Sequence, residues 1–257
     1  MPDGDRPPLP PRTALTETAL VLGVSLGASA VWAALSLTTA LLEPGGLEQQ
    51  TATLNSSAVP GGGWLDATYQ LVGIAIALVP VALALHLLAR QHPHPARMIG
   101  LDATEPGRDL LRGAGLAALI GLPGLGLYLL GRALGVTTTV VAADLQGGWW
   151  VVPVLLLAAV QNALLEEVVM VGYLFTRWAE AGWSSVQIVV VSALIRGSYH
   201  LYQGFGAFLG NVAMGLLLGV VYLRTRRVGP LVVAHALIDA VAFVGYALLA
   251  DHLGWLG

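Results

Sequence analysis

The stretch LLEEVVMVG, residues 164–172, places two adjacent carboxylates inside an apolar run that extends from residue 149 to 177. A run of this length is typical of a membrane-spanning helix, which needs about 20 mostly apolar residues. Ionisable side chains inside such a helix are energetically costly, usually face the interior of a bundle, and commonly have a function. The pair Glu166 and Glu167 is therefore the first candidate for a functional site.

The composition of the whole chain is that of a polytopic membrane protein. Of its 257 residues, 56% are hydrophobic and only 11% are charged, and the mean hydropathy of +0.75 is too high for a soluble domain of this length. Basic residues are few and scattered, so we expect no nucleic-acid partner. The chain contains no cysteine, which excludes disulfides, thiol nucleophiles and cysteine-ligated metals.

Seven apolar segments predict an all-α membrane bundle of about seven transmembrane helices. They span residues 13–42, 67–90, 109–134, 149–177, 184–203, 205–223 and 230–253. The polar, Pro-rich residues 1–12 are expected to form a disordered cytoplasmic tail, and residues 13–257 a single membrane-embedded domain. The first three helices contain no motif that assigns them a role.

The positions of the arginines predict the orientation, because cytoplasmic loops are enriched in basic residues. With seven helices, the arginines outside the helices all fall on the side of the N-terminus, and Arg132 alone falls on the other. We therefore expect a multi-pass protein of the cell membrane with a cytoplasmic N-terminus and a C-terminus outside.

Two further motifs place ionisable residues in predicted helices. RGSYH contains Arg196 and His200, and HALID contains His235 and Asp239. In each motif the two residues are four positions apart, so on a helix they share a face. If these faces converge on the Glu pair, they form one site with carboxylates from two helices and two imidazoles.

Such a set of side chains is suited to hydrolysis by either of two routes. Carboxylates and histidines can hold a divalent ion such as zinc, which generates hydroxide from water near neutral pH. Alternatively, a glutamate can act as general base on a water without a metal, while His and Asp stabilise the oxyanion or orient the base. The sequence leaves both routes open, and both end in water attacking a carbonyl.

The order of these motifs resembles the CPBP family of intramembrane proteases. This family includes the eukaryotic CAAX prenyl endopeptidases and the bacterial Abi-type bacteriocin-processing or immunity proteins. The resemblance covers about residues 149–250, which we expect to form the catalytic core, and it consists of Glu-Glu, then a His on the next helix, then His-x-x-x-Asn/Asp. It implies an endopeptidase of the bacterial plasma membrane that hydrolyses membrane-associated peptides or proteins, with a prenylated CAAX substrate not expected.

The resemblance also implies roles for individual residues. Glu166 would activate the water or bind a metal, Glu167 would support it, and His200, His235 and Asp239 would complete the site. If a metal is bound, its ligands would be Glu166, His200, His235 and Asp239.

The first motif departs from the family pattern Glu-Glu-x-x-x-Arg-Gly, because Val171 occupies the place of the arginine. An arginine beside two buried glutamates would keep them ionised. We expect Arg196 to replace it by reaching the Glu pair from the fifth helix.

The two histidines are predicted at different depths. At ~1.5 Å per residue, His200 lies ~24 Å from the start of its helix and His235 only ~8 Å from the start of its own. Either residues 184–190 are interfacial, or Gly197 bends the fifth helix, or Gly229–Pro230 begins the seventh helix deep in the membrane.

Two other functional classes remain open from the sequence. The missing motif arginine is compatible with a catalytically silent scaffold or immunity protein. Intramembrane carboxylates are also compatible with a proton-coupled transporter, although such transporters often contain repeated halves, which this sequence does not show.

Overall fold

A computed structural model describes residues 9–250, and this part of the chain is almost wholly helical. The α-helices, in chain order, are α1 (Pro11–Gly23), α2 (Leu26–Leu42), α3 (Trp64–Ala77), α4 (Val79–Ala89), α5 (Pro95–Met98), α6 (Pro106–Ala133), α7 (Val151–Glu167), α8 (Leu174–Glu180), α9 (Ser185–Ser198), α10 (Phe205–Thr225) and α11 (Gly229–Leu249). Short 3-10 helices lie at Gly46–Gln49 and Leu201–Gln203.

Two short strands complete the described elements. β1 (Thr51–Thr53) and β2 (Thr139–Val141) pair in parallel, with Thr51 opposite Thr139. Because each strand has only three residues and the other described elements are helices, the prediction of an all-α membrane bundle is confirmed. Most of the predicted tail, residues 1–8, and the predicted end of the last helix, residues 251–253, lie outside the described residues; α1 begins at Pro11.

Fewer helices of the described residues have the length and hydropathy of a full membrane span than the sequence predicted. Within residues 9–250, five helical segments are long and apolar enough to cross a membrane: Trp64–Ala89, Pro106–Ala133, Val151–Glu180, Phe205–Thr225 and Gly229–Leu249. The pair α1–α2, bent by 53°, makes a sixth if counted as one span. The predicted fifth helix, 184–203, is replaced by α9, whose 14 residues span only about 21 Å at the usual helical rise.

The loops gather at two opposite ends of the bundle. Residues 43–63, 134–150 and 199–204 meet at one end, where β1 pairs with β2 and the backbone N–H of Thr138 donates to the carbonyl of Gln203. Residues 90–105, 181–184 and 226–228 lie at the other end, where the N–H groups of Val228 and Gly229 donate to the carbonyls of Ile99 and Gly100. Successive loops along the chain therefore lie at alternate ends of the bundle, as a membrane bundle requires.

Basic residues divide unequally between these ends. Of the eleven arginines in the described residues, nine lie at or near the end formed by residues 90–105, 181–184 and 226–228, which we call the Arg-rich end. Arg132 is the one arginine of the described residues at the opposite, Arg-poor end, and Arg196 lies inside the bundle.

The main hydrophobic core fills the Arg-rich half of the molecule. It contains buried residues of seven helices and of the π segment of the α7–α8 span, and its fully buried members include Leu88, Ile99, Leu174, Leu218 and Leu231. A second, smaller cluster around Leu155 and Phe243 lies toward the Arg-poor end. The tight packing of one half and the looser packing of the other determine where a cavity can form.

The span from Val151 to Glu180 is interrupted by a π-helical segment, Val168–Tyr173, directly after the Glu pair. The wider turn changes the hydrogen bonding of the backbone, and two hydroxyl groups donate hydrogen bonds to carbonyl oxygens of this segment. Ser192 donates to the carbonyl of Met170 at 3.0 Å, and Thr176 donates to the carbonyl of Gly172 at 2.8 Å. Single π turns within α-helices often occur at functional sites, and this one sets the direction of the helix beyond Glu167.

Candidate active site

Glu166 and Glu167 are the last two residues of α7, near the middle of the span Val151–Glu180. Both are buried, with 8% and 0% of their surface exposed. Successive residues of an α-helix point about 100° apart, so the two side chains face different neighbours. Glu166 lines a cavity, whereas Glu167 contacts the side chains of α9 and α11.

Arg196 of α9 bridges the two glutamates. Its Nη1 donates to Oε2 of Glu166 at 3.0 Å and its Nη2 donates to Oε1 of Glu167 at 2.7 Å. Only 1% of the arginine is exposed. The planar guanidinium suits such a bridge, because its fork of N–H groups can serve two carboxylate oxygens at once. The contact expected from the sequence is present, and its role in activity stays a prediction.

The residues after α9 turn back toward Glu166. The helix begins with a capping box of Ser184 and Gln187 and ends at Ser198, so His200 lies in a turn and not on the helix face that its spacing from Arg196 predicted. The hydroxyl of Tyr199 donates to Oε2 of Glu166 at 2.6 Å. Nε2 of His200 lies 3.9 Å from the other oxygen, Oε1.

His235 and Asp239 share one face of α11, as their spacing predicted. Nδ1 of His235 lies 2.8 Å from Oε1 of Glu167, and Nε2 of His235 lies 3.7 Å from Oδ2 of Asp239. The side-chain amide of Asn162, on α7, donates to the same Oδ2 at 3.2 Å. The imidazole is therefore flanked by two carboxylates.

The difference in depth between the two histidines has a structural explanation. Val228, just before α11, and Ile99, which accepts a hydrogen bond from its N–H, are both fully buried. The helix α11 thus begins against buried residues of the core, whereas residues 184–187 at the start of α9 are exposed. His235 needs only two turns to reach Glu167, while α9 needs its whole length to bring Tyr199 and His200 to Glu166.

A cavity of about 420 Å³ lies against this cluster. Five residues of the site line it: Glu166, Tyr199, His200, His235 and Asp239. The remaining walls come from the helices α2, α3, α7 and α11, from the loop after β1 and from the turn after α9. Among the described residues that line it, amide side chains are frequent and no arginine occurs: Asn55, Gln70, Gln161, Asn162 and Gln203.

Residues 148–241 match the family model of the type II CAAX prenyl endopeptidase, Rce1-like. This part of the chain is similar to that family and is called the Rce1-like segment below. The match confirms the resemblance to the CPBP intramembrane proteases, and it includes every residue of the cluster from Asn162 to Asp239. No curated protein and no solved structure matches the chain.

The Rce1-like segment supports a protease, and more generally an intramembrane endopeptidase with a peptide or protein substrate. Together with five or six candidate spans, it supports a multi-pass membrane protein. Neither the catalytic mechanism nor the substrate follows from the match.

A group of three residues in the Rce1-like segment could hold a metal ion. Among the described residues, Glu166, Glu167 and His235 form the one group of His, Asp or Glu whose ligand atoms lie within 4.8 Å of one another. Of the four ligands predicted from the sequence, this group contains Glu166 and His235, while His200 and Asp239 lie outside it.

Two contact residues of the site were not singled out from the sequence. These residues are Tyr199 and Asn162. Asn162 lies four residues before Glu166 and so on the same face of α7, which is the pattern that could have identified it. The contact of Tyr199 with Glu166 depends on the turn after Ser198, which the sequence pattern did not predict.

Proposed function

We propose that this protein is an intramembrane endopeptidase in which Glu166 activates a water molecule without a metal ion. The main support is the unequal surroundings of the two oxygens of Glu166. Oε2 accepts hydrogen bonds from Arg196 and Tyr199, while the carboxylate also borders the cavity. Two donors fix the carboxylate through one oxygen, and Oε1 is left to accept a proton from water.

The position of His200 suits the orientation of that water. Its Nε2 is buried, has no hydrogen-bond partner among the described residues and lies 3.9 Å from Oε1 of Glu166. This separation is too long for a direct hydrogen bond but allows one water to bond to both atoms. Nδ1 of the ring lies 3.5 Å from the amide nitrogen of Gln203. In the proposed tautomer Nδ1 accepts from this amide, and Nε2–H donates to the water oxygen.

The reaction then runs by general acid–base catalysis. Glu166 takes a proton from the water as the oxygen attacks the scissile carbonyl, and the electron pair of the C=O bond moves to the carbonyl oxygen. When the tetrahedral intermediate collapses, the C–N bond breaks and Glu166 returns its proton to the leaving nitrogen. The products are a carboxylic acid and an amine, which become a carboxylate and an ammonium group by proton transfer between them, and the glutamate is regenerated.

His235 is placed to stabilise the oxyanion of this intermediate. Glu167 holds the ring through Nδ1 at 2.8 Å, and Asp239, itself fixed by Asn162, lies beside Nε2. With a carboxylate beside each nitrogen, both nitrogens can donate. The Nε2–H group then donates to the oxyanion from a fixed position, which is the type of interaction that stabilises a transition state most effectively.

The surroundings of the Glu pair favour a mechanism without a resident zinc ion. Oε1 of Glu167 already accepts from Arg196 and from His235, and Oε2 of Glu166 accepts from Arg196 and Tyr199. The guanidinium thus supplies the positive charge that balances the two carboxylates. A metal held by Glu166, Glu167 and His235 would share this buried site with a second cation, the guanidinium of Arg196.

The proposal is tested by comparing the peptide termini of membrane and secreted proteins in cells that express the native protein or Glu166→Gln at equal levels. Termini that occur only with the native protein are expected, since the amide cannot accept the proton of water. Glu43→Gln, a change of an exposed residue at the Arg-poor end, serves as the matched control and should keep these termini.

An experiment with purified protein then tests whether cleavage requires a metal ion. Cleavage of a peptide identified in cells should persist after dialysis against a chelator, and added zinc should not increase it. Identical termini in native and Glu166→Gln cells would contradict an endopeptidase and favour a scaffold. Cleavage lost with the chelator and restored by zinc would contradict the metal-free mechanism alone.

A further inference from the structure

The cavity and the arginines lie toward opposite ends of the molecule. Nine arginines of the described residues cluster at the Arg-rich end. The Arg-poor end has Arg132 and the acidic residues Glu43, Glu48, Asp66 and Asp144. Because basic residues are retained on the cytoplasmic side, this distribution places the Arg-poor end outside the cytoplasm.

Most of the loop residues that line the cavity belong to the Arg-poor end, and Leu26 and Ser29 line it from the first turn of α2. Leu54 and Asn55 lie in the loop after β1, and Tyr202 and Gln203 lie in the turn after α9, all at that end of the bundle. Gln70 lies in the second turn of α3, counted from the same end. Glu166, about 22 Å from the start of α7 at the usual helical rise, forms the floor.

The Arg-rich side of that floor is closed. The residues that follow the Glu pair, Val168, Val169 and Met170, have no exposed surface, and neither do Leu88, Ile99 and Leu231, which belong to the same core. A peptide segment therefore has no path to Glu166 through the Arg-rich half.

We propose that the catalytic cavity is reached from the extracytoplasmic face, and that its substrates are peptide segments presented at that face. The inference deepens the endopeptidase function proposed above and rests on it. Cytoplasmic C-terminal tails, including any lipidated ones, would meet the closed half of the molecule and are not substrates.

The lining of the cavity indicates which segments fit. Its amide side chains, such as Asn55, Gln70 and Gln203, can both donate to and accept from a peptide backbone. Among the described lining residues there is no arginine to pair with a free C-terminal carboxylate. This favours uncharged, extended internal segments, such as the part of a membrane protein that just leaves the bilayer.

Because the chain has no cysteine, the accessible side can be measured with single Ser→Cys variants of the full-length protein. Ser29 lines the cavity, Ser56 lies in an Arg-poor loop, and Ser185 begins α9 at the Arg-rich end; all three are exposed. In intact cells, a membrane-impermeant maleimide should label Ser29→Cys and Ser56→Cys. Ser185→Cys should react only after permeabilisation.

Three labelling results would overturn the inference. Labelling of Ser56→Cys only after permeabilisation would reverse the orientation. Labelling of Ser29→Cys only after permeabilisation, while Ser56→Cys reacts in intact cells, would place the opening on the cytoplasmic side. Absence of Ser29→Cys labelling in both conditions would show that no aqueous path reaches the cavity.

A second measurement tests the side of access independently of the proposed chemistry. A peptide spanning a cleavage site found in cells is added outside right-side-out and inside-out membrane vesicles. Cleavage at least tenfold faster in right-side-out vesicles is expected, with equal rates once detergent opens both. Faster cleavage in inside-out vesicles would refute the side of access alone. Cleavage in detergent that Glu166→Gln leaves unchanged would refute the endopeptidase function, whatever the labelling shows.

Discussion

Arg196 holds Glu166 from a position 30 residues further along the chain, with Nη1 of the arginine 3.0 Å from Oε2 of the glutamate. In the family pattern the arginine follows the Glu pair within the same motif, where this chain has Val171. Here the positive charge comes from a different helix, α9, while both carboxylates remain within its reach. A positive charge is thus present at the Glu pair although the motif arginine is absent.

Arg196→Ala should abolish cleavage and destabilise the protein. Removing one partner of a buried ion pair typically costs about 3–5 kcal/mol, because the remaining charges stay buried without compensation. Arg196→Lys should recover part of the stability and little of the activity, since one ammonium cannot donate to two carboxylates in a fixed geometry. Thermal unfolding in detergent and peptide cleavage measure the two effects, and a folded, fully active Arg196→Ala variant would refute this role.

Tyr199→Phe should slow cleavage while leaving the fold intact. The change removes the hydrogen bond to Oε2 of Glu166, at 2.6 Å, and keeps the ring. A hydrogen bond to a charged group contributes about 1.5–3 kcal/mol, which corresponds to a roughly 10- to 100-fold lower kcat if the loss falls on the transition state. The measurement is kcat and KM of the purified variant.

Tyr202→Phe provides the matched control for that experiment. Tyr202 lines the same cavity, but its hydroxyl accepts from the amide of Gln203 and has no bond to the Glu pair. We expect kcat within a few-fold of the native value. Equal losses in both variants would indicate that the cavity tolerates no change of polarity and that Tyr199 has no special part.

Much of the site could be predicted from the sequence, because costly residues at helical spacing constrain their neighbours. Glu166, Glu167, His235 and Asp239 lie in α7 and α11 in the arrangement expected from their spacing. Arg196 also contacts the Glu pair as expected. Apolar composition was sufficient to predict helices, since in lipid the backbone must satisfy its own hydrogen bonds.

The sequence could not predict the elements that depend on breaks in helices. The predicted helix 184–203 ends at Ser198, because the following residues turn to place Tyr199 and His200 over Glu166. The bend of 53° between α1 and α2 and the π segment Val168–Tyr173 likewise have no periodic sequence pattern. These tertiary features explain why seven full-length spans were predicted, whereas five or six segments of the described residues have the length and hydropathy of one.

Asp239→Asn should retain cleavage within about tenfold, whereas Asp239→Leu should abolish it. The amide keeps an oxygen that can accept from Asn162 and stay beside His235, as in family members that have Asn at this position, but leucine leaves the amide of Asn162 without its partner. The variants are compared by cleavage of the same peptide. A proton relay would fail equally in both variants, so activity in Asp239→Asn also separates a protease from a proton-coupled transporter.

A pH-dependent contribution to stability is expected at the Arg-rich end. Hydrogen bonds from the hydroxyl and N–H of Thr104, together with the charge of Arg227, lower the pKa of Asp102 to about 2. In the unfolded chain the pKa of an aspartate is about 3.9. The lowered pKa stabilises the fold at pH values above about 4, and this contribution is lost as the pH falls toward the pKa of the folded state.

The test compares the unfolding temperatures of native protein and Asp102→Asn between pH 7 and pH 2. The difference should be constant down to about pH 5 and shrink as the pH falls below the ordinary aspartate pKa of about 3.9. Thr104→Val, which removes the hydroxyl donor to Asp102, should reduce the pH-dependent part. A difference that stays the same at every pH would contradict the assignment.

Gly204→Ala should disturb the site through the backbone alone. Gly204 closes the turn after His200 with a φ of +98°, and a Cβ there would lie 2.7 Å from the carbonyl oxygen of Val136. The strained conformation alone costs about 1–3 kcal/mol, and relief of the contact must move the turn that positions Tyr199 and His200. We expect a lower unfolding temperature together with a fall in kcat.

The control Gly182→Ala separates the effect of backbone strain from that of displacing the turn. Gly182 has a similar φ of +88°, has open space around a Cβ and lies at the Arg-rich end. That control should lose stability and keep its activity; if Gly204→Ala lost no more activity than Gly182→Ala, the turn would not position the catalytic side chains.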